Sequence, residues 1–187
     1  MRIFSIAMLL LLLSSAVMAQ SVLSDLFQIP LGSSTEALQR HARTHAWQEV
    51  LEAENELWKR EPAIAFQAIR DAQGTANVRL LVYRVNWFNQ SVDIYFFFHR
   101  NRLFAVNLFF PNAVSEEQFI ALVQEVGGPK KDGYLGYGRP ILQDSAKFLV
   151  YMWYLNTSFT HTLIMTYAGV GVQPSLSIQI MDENLGM

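Results

Sequence analysis

The chain has 187 residues with 14 basic and 16 acidic side chains, no Cys, and an aromatic content of 13%. The absence of Cys excludes disulfides and a thiol-anchored lipid, and the charge balance excludes the concentrated basic surface that nucleic-acid binding requires. A charged fraction of only 16% beside so many aromatics points to an ordered, well-packed protein.

The first element is a leader. Arg2 is the only charge before residue 20, an apolar run spans Ile6 to Leu13, and Val17-Met18-Ala19 ends the stretch with small side chains at Val17 and Ala19. This is the pattern of a secretory signal peptide over residues 1–19, cut before Gln20. The apolar run is shorter than the ~20 residues of a spanning helix. The expectation is therefore a periplasmic or secreted protein of 168 residues (19 removed from 187), with no lipid and no stable membrane insertion after cleavage. A chain of that length suits a single domain over 20–187, with possible halves at 20–112 and 113–187, and it can bury ~70% of its unfolded surface without covalent staples.

Val22 to Leu31 reads as a short lead-in. Ser33 and Glu36 have the spacing of a capping box, and Leu38, Ala42, Ala46, Val50, Ala53 and Leu57 draw an apolar stripe at helical period. The expectation is one long helix, or two broken near Thr44, ended by Pro62. Three strand-like runs follow at Val78–Phe88, Ser91–His99 and Arg102–Phe110, with Asn89-Gln90 and Arg100-Asn101 as two-residue links. That is an antiparallel meander. Tyr95 and Phe97 alternate with Phe96 and Phe98, so part of the sheet is expected to be covered on both faces.

A second helix opens with Ser115 and Gln118 as a capping box and Val114 and Phe119 as a hydrophobic staple, and Gly127-Gly128-Pro129 stops it. A turn-rich loop is expected from Lys130 to Pro140. Strands are expected at Lys147–Leu155, Phe159–Tyr167 and Ser175–Met181, with a frayed tail from Asp182. The order is helix then three strands, twice. The fold class is α+β, two helix-plus-three-strand antiparallel meander units packed as one compact domain.

Leu31-Gly32-Ser33-Ser34 before the first helix, together with this repeated element order, resembles a class of small exported proteins: β-lactamase-inhibitor-like domains and the small lipoprotein of the outer-membrane assembly machinery. The resemblance implies a protein that binds other proteins and is not an enzyme. The chain departs from the lipoprotein pattern in lacking its Cys, and no site residue of those families matches a position here.

Chemistry-bearing patterns are sparse. His41, His45 and Glu49 recur every four residues, which on a helix presents two imidazoles and a carboxylate on one face, as zinc sites do. Arg43 between the histidines is a poor neighbour for a dication, and no catalytic Glu stands between them. A solvated face is the favoured reading, with no metal and no cofactor. His99 and His161 lie near strand ends. Asp144-Ser145 with the distant His161 is the only Ser/Asp/His neighbourhood, and Gly133 to Gly138 lacks the strand-then-helix context of a phosphate loop. Glu116-Glu117 suit the positive end of a helix. An outer-membrane barrel would need about eight strands alternating apolar and polar, against six runs found here. The loop holding Tyr134, Tyr137 and Arg139 offers exposed anchors of the kind binding surfaces use. The expectation is a non-enzymatic exported protein that binds a protein or cell-envelope component through those three residues. The alternative is an exported metal-assisted hydrolase using His41, His45 and Glu49.

Overall fold

A computed structural model describes residues 22–126, 137–143, 146–155, 158, 160–169, 175–182 and 184. The expected leader, Tyr134, Asp144-Ser145 and the glycine-rich turn after residue 126 lie outside the described residues. The architecture is α+β. Residues 22–27 are helical (α1) and precede α2 (Thr35–Thr44), β1 (Gln48–Glu49), α3 (Glu54–Trp58), α4 (Glu61–Gln73), β2 (Val78–Trp87), β3 (Gln90–His99) and β4 (Arg102–Phe109). Then come α5 (Glu116–Glu125), β5 (Tyr137–Gln143), β6 (Ala146–Tyr154), β7 (His161–Ala168) and β8 (Ser175–Asp182).

The eight strands among the described residues form one antiparallel sheet in the order β1-β2-β3-β4-β8-β7-β6-β5. The two meanders meet last strand to last strand, with Val106 opposite Ile180 and Leu108 opposite Ile178. Each meander follows a helix capped by a serine hydroxyl, Ser34 for α2 and Ser115 for α5. The two halves are thus present, but each contributes four described strands where three were expected, because β1 joins the edge of the first meander and β5 that of the second. The reading missed β5 because Gly138 and Pro140 are poor strand formers; an outermost strand tolerates both, since one of its edges has no ladder to complete.

Two hydrophobic layers sandwich the first meander. On one face Tyr83, Trp87, Phe96, Phe98 and Leu108 pack with Leu23, Leu38 and Phe119 from α1, α2 and α5. On the other, Leu80, Val82, Tyr95, Phe97 and Phe104 pack with Trp58 of α3 and Phe66 of α4. A register shift beside Phe97/Phe98 leaves one more residue on β4 than on β3, so Phe104 and Ala105 both join the second layer. The Ser115–Gln118 capping box is formed, and Val114 and Phe119 are both buried beside it.

Both hairpins of the first meander turn through two residues of positive φ, the type I′ geometry whose twist matches that of the strands. The first link is Phe88-Asn89 (φ 51° and 58°), one residue earlier than expected, and the second is Arg100-Asn101 (φ 48° and 60°). Asn101 also fastens its turn to the start of α2. Its Oδ1 accepts from Thr35 N (3.1 Å) and Thr35 Oγ1 (2.7 Å), and its Nδ2 donates to Glu36 Oε2 at 3.3 Å. Donors from Ser34, from its own backbone N–H and from Asn101 hold the Glu36 carboxyl at about 2, down from 4.5. A carboxyl with a lowered folded-state pKa stabilises above its unfolded value and loses that contribution as the pH falls toward 2.

Four expectations need correction. The cap of α2 is Ser34, whose hydroxyl accepts from Ala37 N, while Ser33 Oγ donates to Pro30 O. Of the two readings of the stripe, the single long helix does not form and the break near Thr44 does: α2 ends at Thr44 and helix resumes at Glu54. The chain leaves α2 through Ala46 at φ 53°, sets Trp47 over Phe96 with ring centroids 6.0 Å apart, and pairs Gln48 and Glu49 with β2. Burying that indole over the sheet outweighs continuing a charged helix. Pro62 starts α4 instead of ending a helix, because the first helical turn needs no donor at that position. Asp182 likewise closes β8 instead of beginning a frayed tail.

Phe97 touches Trp58, Phe66 and Phe104, with centroid distances of 5.6, 4.0 and 6.4 Å. Phe97→Ala is expected to lower the unfolding free energy by about 3–5 kcal/mol, the range for a buried Phe, read by chemical denaturation. Exposed Arg79→Ala, on the same sheet, is expected to stay within about 0.5 kcal/mol.

Candidate functional site

The start of α4 stands over the sheet where the two meanders meet. Asn107 of β4 donates from Nδ2 to Pro62 O at 3.1 Å and fixes the first turn of the helix there. Before that turn, Arg60 at the N-cap reaches Asp93 of β3 (Nη1 to Oδ2, 3.0 Å) and Glu52. Arg84, directly opposite Asp93 across the β2–β3 ladder, donates from Nε to Oδ1 (2.7 Å) and from Nη2 to Oδ2 (2.9 Å). One carboxylate thus accepts from two guanidinium groups. This paired geometry fixes both arginines while leaving further donors on each.

The apolar rows of β2 and β3 under α3 and α4 give way here to Arg84, Asp93 and the exposed Ser91. An open groove of about 400 Å³ results, lined by Pro62, Arg84, Ser91, Asp93, Tyr95, Phe109 and Pro111. Phe109 keeps 37% of its surface exposed. Pro62 and Phe109 also border an adjoining hollow of about 210 Å³ that runs onto the second meander past Asn107, Ile164, Thr166, Ser177 and Gln179. On that half of the sheet face, Val150, Met152, Ile164, Thr166, Ser177 and Gln179 are half-buried, and among the described residues no helix packs over them.

A general acid or base works best when its pKa lies near the operating pH. The hydrogen bonds and charge of Asp93 raise the Arg84 guanidinium further above its ordinary value. Burial pulls Arg60 down, but the Tyr95 hydroxyl and Glu52 outweigh it, for a net rise. Burial pushes the Tyr95 hydroxyl up as well. All three move away from neutrality.

A second polar cluster lies on the opposite layer, where α1 meets α2. His45 Nδ1 pairs with Asp25 Oδ2 at 2.9 Å, and the rings of His41 and His45 stack with centroids 4.1 Å apart. Trp47 meets His41 edge to face at 5.3 Å. Glu49 does not join them. Its expected place on the helical face depended on a helix that ends at Thr44, and it stands exposed on β1 opposite Tyr83. Asp25, which the spacing argument passed over, takes the place beside the imidazoles. Among the described residues no group of three or more His, Cys, Asp or Glu is arranged to hold a metal ion.

Tyr137 and Arg139 are not on a loop. They lie in the edge strand β5, opposite Met152 and Val150 of β6. His161 faces Asp182 at 3.5 Å across β7 and β8, and His99 ends β3 with a buried Nε2 that has no hydrogen-bond partner. Neither approaches the His41 cluster in a shared site. The Glu117 carboxyl is lowered by its own backbone N–H and by Ser115, as befits the first turn of a helix. Reading the sequence missed Arg60, Arg84, Asp93 and Phe109. Arg84 and Asp93 left a signal, each a charge set into an otherwise apolar strand. No protein-family profile, characterised protein or solved structure matches the chain.

Asp93→Asn removes the charge shared by Arg60 and Arg84. The expected loss is about 2 kcal/mol of stability, within the range for hydrogen bonds to charged groups. The neighbouring Ser91→Ala is expected to change stability by less than about 0.5 kcal/mol. Urea titration of the three proteins checks both.

Proposed function

We propose that the mature chain is an exported, non-enzymatic protein that binds a protein or cell-envelope component. The groove at the start of α4, with the open half-face beside it, is the binding surface. One observation carries the reading: an exposed Phe109 set between Pro62 and Pro111, beside a pre-ordered Arg84–Asp93 pair, over an open groove of about 400 Å³. Aromatic and Arg side chains held on a rigid strand are typical anchors of protein interfaces. The polar residues running onto the second meander supply a rim that can hydrogen-bond a partner. Tyr137 and Arg139 stand in the edge strand β5 at the register positions opposite Met152 and Val150.

Export rests on the leader pattern, and intact mass of protein recovered from the periplasm or medium tests it, with a mass beginning at Gln20 expected. A photoreactive benzophenone placed at Phe109 tests the surface. It is expected to give a discrete crosslinked species in cells, while the same group at exposed Leu51 gives none. Phe109→Ser is expected to weaken capture of the crosslinked partner more than tenfold, ~1.4 kcal/mol, with a melting midpoint within 2 °C or so of the parent. Equal crosslinking at both positions would place the surface elsewhere.

A further inference from the structure

We propose that the uncovered half of the sheet face is closed by a second copy of this chain, with α4 of each copy lying over β8 and β7 of the other. The proposal rests on the binding surface described above and names its occupant. That surface is a step. Across the first meander α4 stands over β3 and β4: Pro62 O meets Asn107 Nδ2 at its start, and Phe66 lies against Phe97 and Phe104 with centroids 4.0 and 5.9 Å away. Across the second meander the same face carries half-buried Val150, Met152, Ile164, Thr166, Ser177 and Gln179, with no helix over them among the described residues. A helix with its side chains is ~10–12 Å across, so the drop from ridge to bare sheet admits one helix. A ridge beside an empty bed of its own depth is self-complementary. A two-fold axis along the strands at the β4–β8 boundary sets each ridge into the other's bed, an isologous contact.

Both sides of that contact are uncharged. The outer face of α4 presents Ile64, Ala65 and Ala68, all exposed, with Ile64 at 56%, and charge stands at Glu61 and Asp71 toward its two ends. A helix that faces water carries polar side chains on its outer side, and one that is apolar on both sides is covered on both. The bed answers with Val150, Met152 and Ile164. Phe109, exposed on the boundary strand β4, lies beside the axis and faces its counterpart.

The area matches what a stable pair needs. From β4 to β6 the bed crosses four strands spaced ~4.8 Å apart, each contributing about six residues of ~3.4 Å, which gives about 400 Å². The outer face of α4, ~20 Å long and ~10 Å wide, adds about 200 Å². A pair of copies thus covers ~1,200 Å², the lower end of stable interfaces, and a dissociation constant of micromolar order is expected.

Sedimentation equilibrium of the exported chain at about 1–100 µM, a range that brackets such an affinity, tests the proposal. A monomer–dimer equilibrium is expected. Ile64→Lys on the ridge and Ile164→Glu in the bed are each expected to weaken it more than tenfold, and an equimolar mixture of the two to regain the dimer, because Lys then meets Glu across one contact and the parent residues meet across the other. Thr166→Glu replaces Ile164→Glu where that variant does not fold, and circular dichroism of each variant decides this. Leu51→Lys, exposed on the opposite face, is expected to associate as the parent does. Benzophenone at Phe109 is expected to give a crosslinked product of twice the chain's mass from purified protein. A chain that stays monomeric across the range would overturn the proposal, as would a dimer that neither Ile64→Lys nor the bed variant weakens, or a mixture that stays monomeric. A monomer whose Phe109 crosslinks a different chain in cells overturns the second copy and leaves the binding surface standing; a monomer with no crosslink there removes both.

Discussion

Five consecutive residues of β3, Ile94 to Phe98, are buried, and a strand points neighbouring side chains to opposite faces. That single fact requires a layer on each side of the first meander. α1, α2 and α5 supply one, α3 and α4 the other. The second meander carries no such demand: Leu163, Met165 and Tyr167 alternate with half-buried Ile164 and Thr166, so one layer satisfies it. The unequal demand of the two halves leaves half of one sheet face without a covering helix among the described residues, and the groove forms at the boundary.

Patterns that depend on neighbours in the chain were legible in the sequence. The first meander, the Ser115 capping box, the α5 stripe and the α+β class all rest on spacings of two to four residues. The failures share a physical cause: a distant contact overrides a local pattern. The apolar stripe from Leu38 to Leu57 is helical in period, yet Trp47 has a better place over Phe96, and the helix yields to it. Pro62 carries no label saying whether it opens or closes a helix; the answer comes from Asn107, 45 residues away, holding its carbonyl. The candidate sites follow the same rule. His41 and His45 are four apart and stack on one helix, whereas Asp25 reaches them only through packing of α1. Arg60, Arg84 and Asp93 come from three elements, and no local spacing announces them.

The chain keeps its two polar clusters on opposite layers. The arginine–aspartate groove borders α4, and the histidine cluster borders α1 and α2, where burial and the charge of His45 lower the proton affinity of His41. The β3 rings between them belong to a continuous ladder.

The pairing of β4 with β8 has a consequence for the order in which the molecule is completed. A chain delivered from its N-terminus presents β2, β3 and β4 together with α1 to α4 well before β8, the final strand, arrives. Until then β4 offers an unsatisfied row of backbone donors and acceptors, flanked by Val106, Leu108 and Phe110. Such a row is a template for pairing with any other strand, including one from a second chain. Sealing that edge falls to the last strand among the described residues, Ser175 to Asp182. Loss of a dozen residues from the C-terminus would thus reach the middle of the sheet, although in the sequence it touches only the tail.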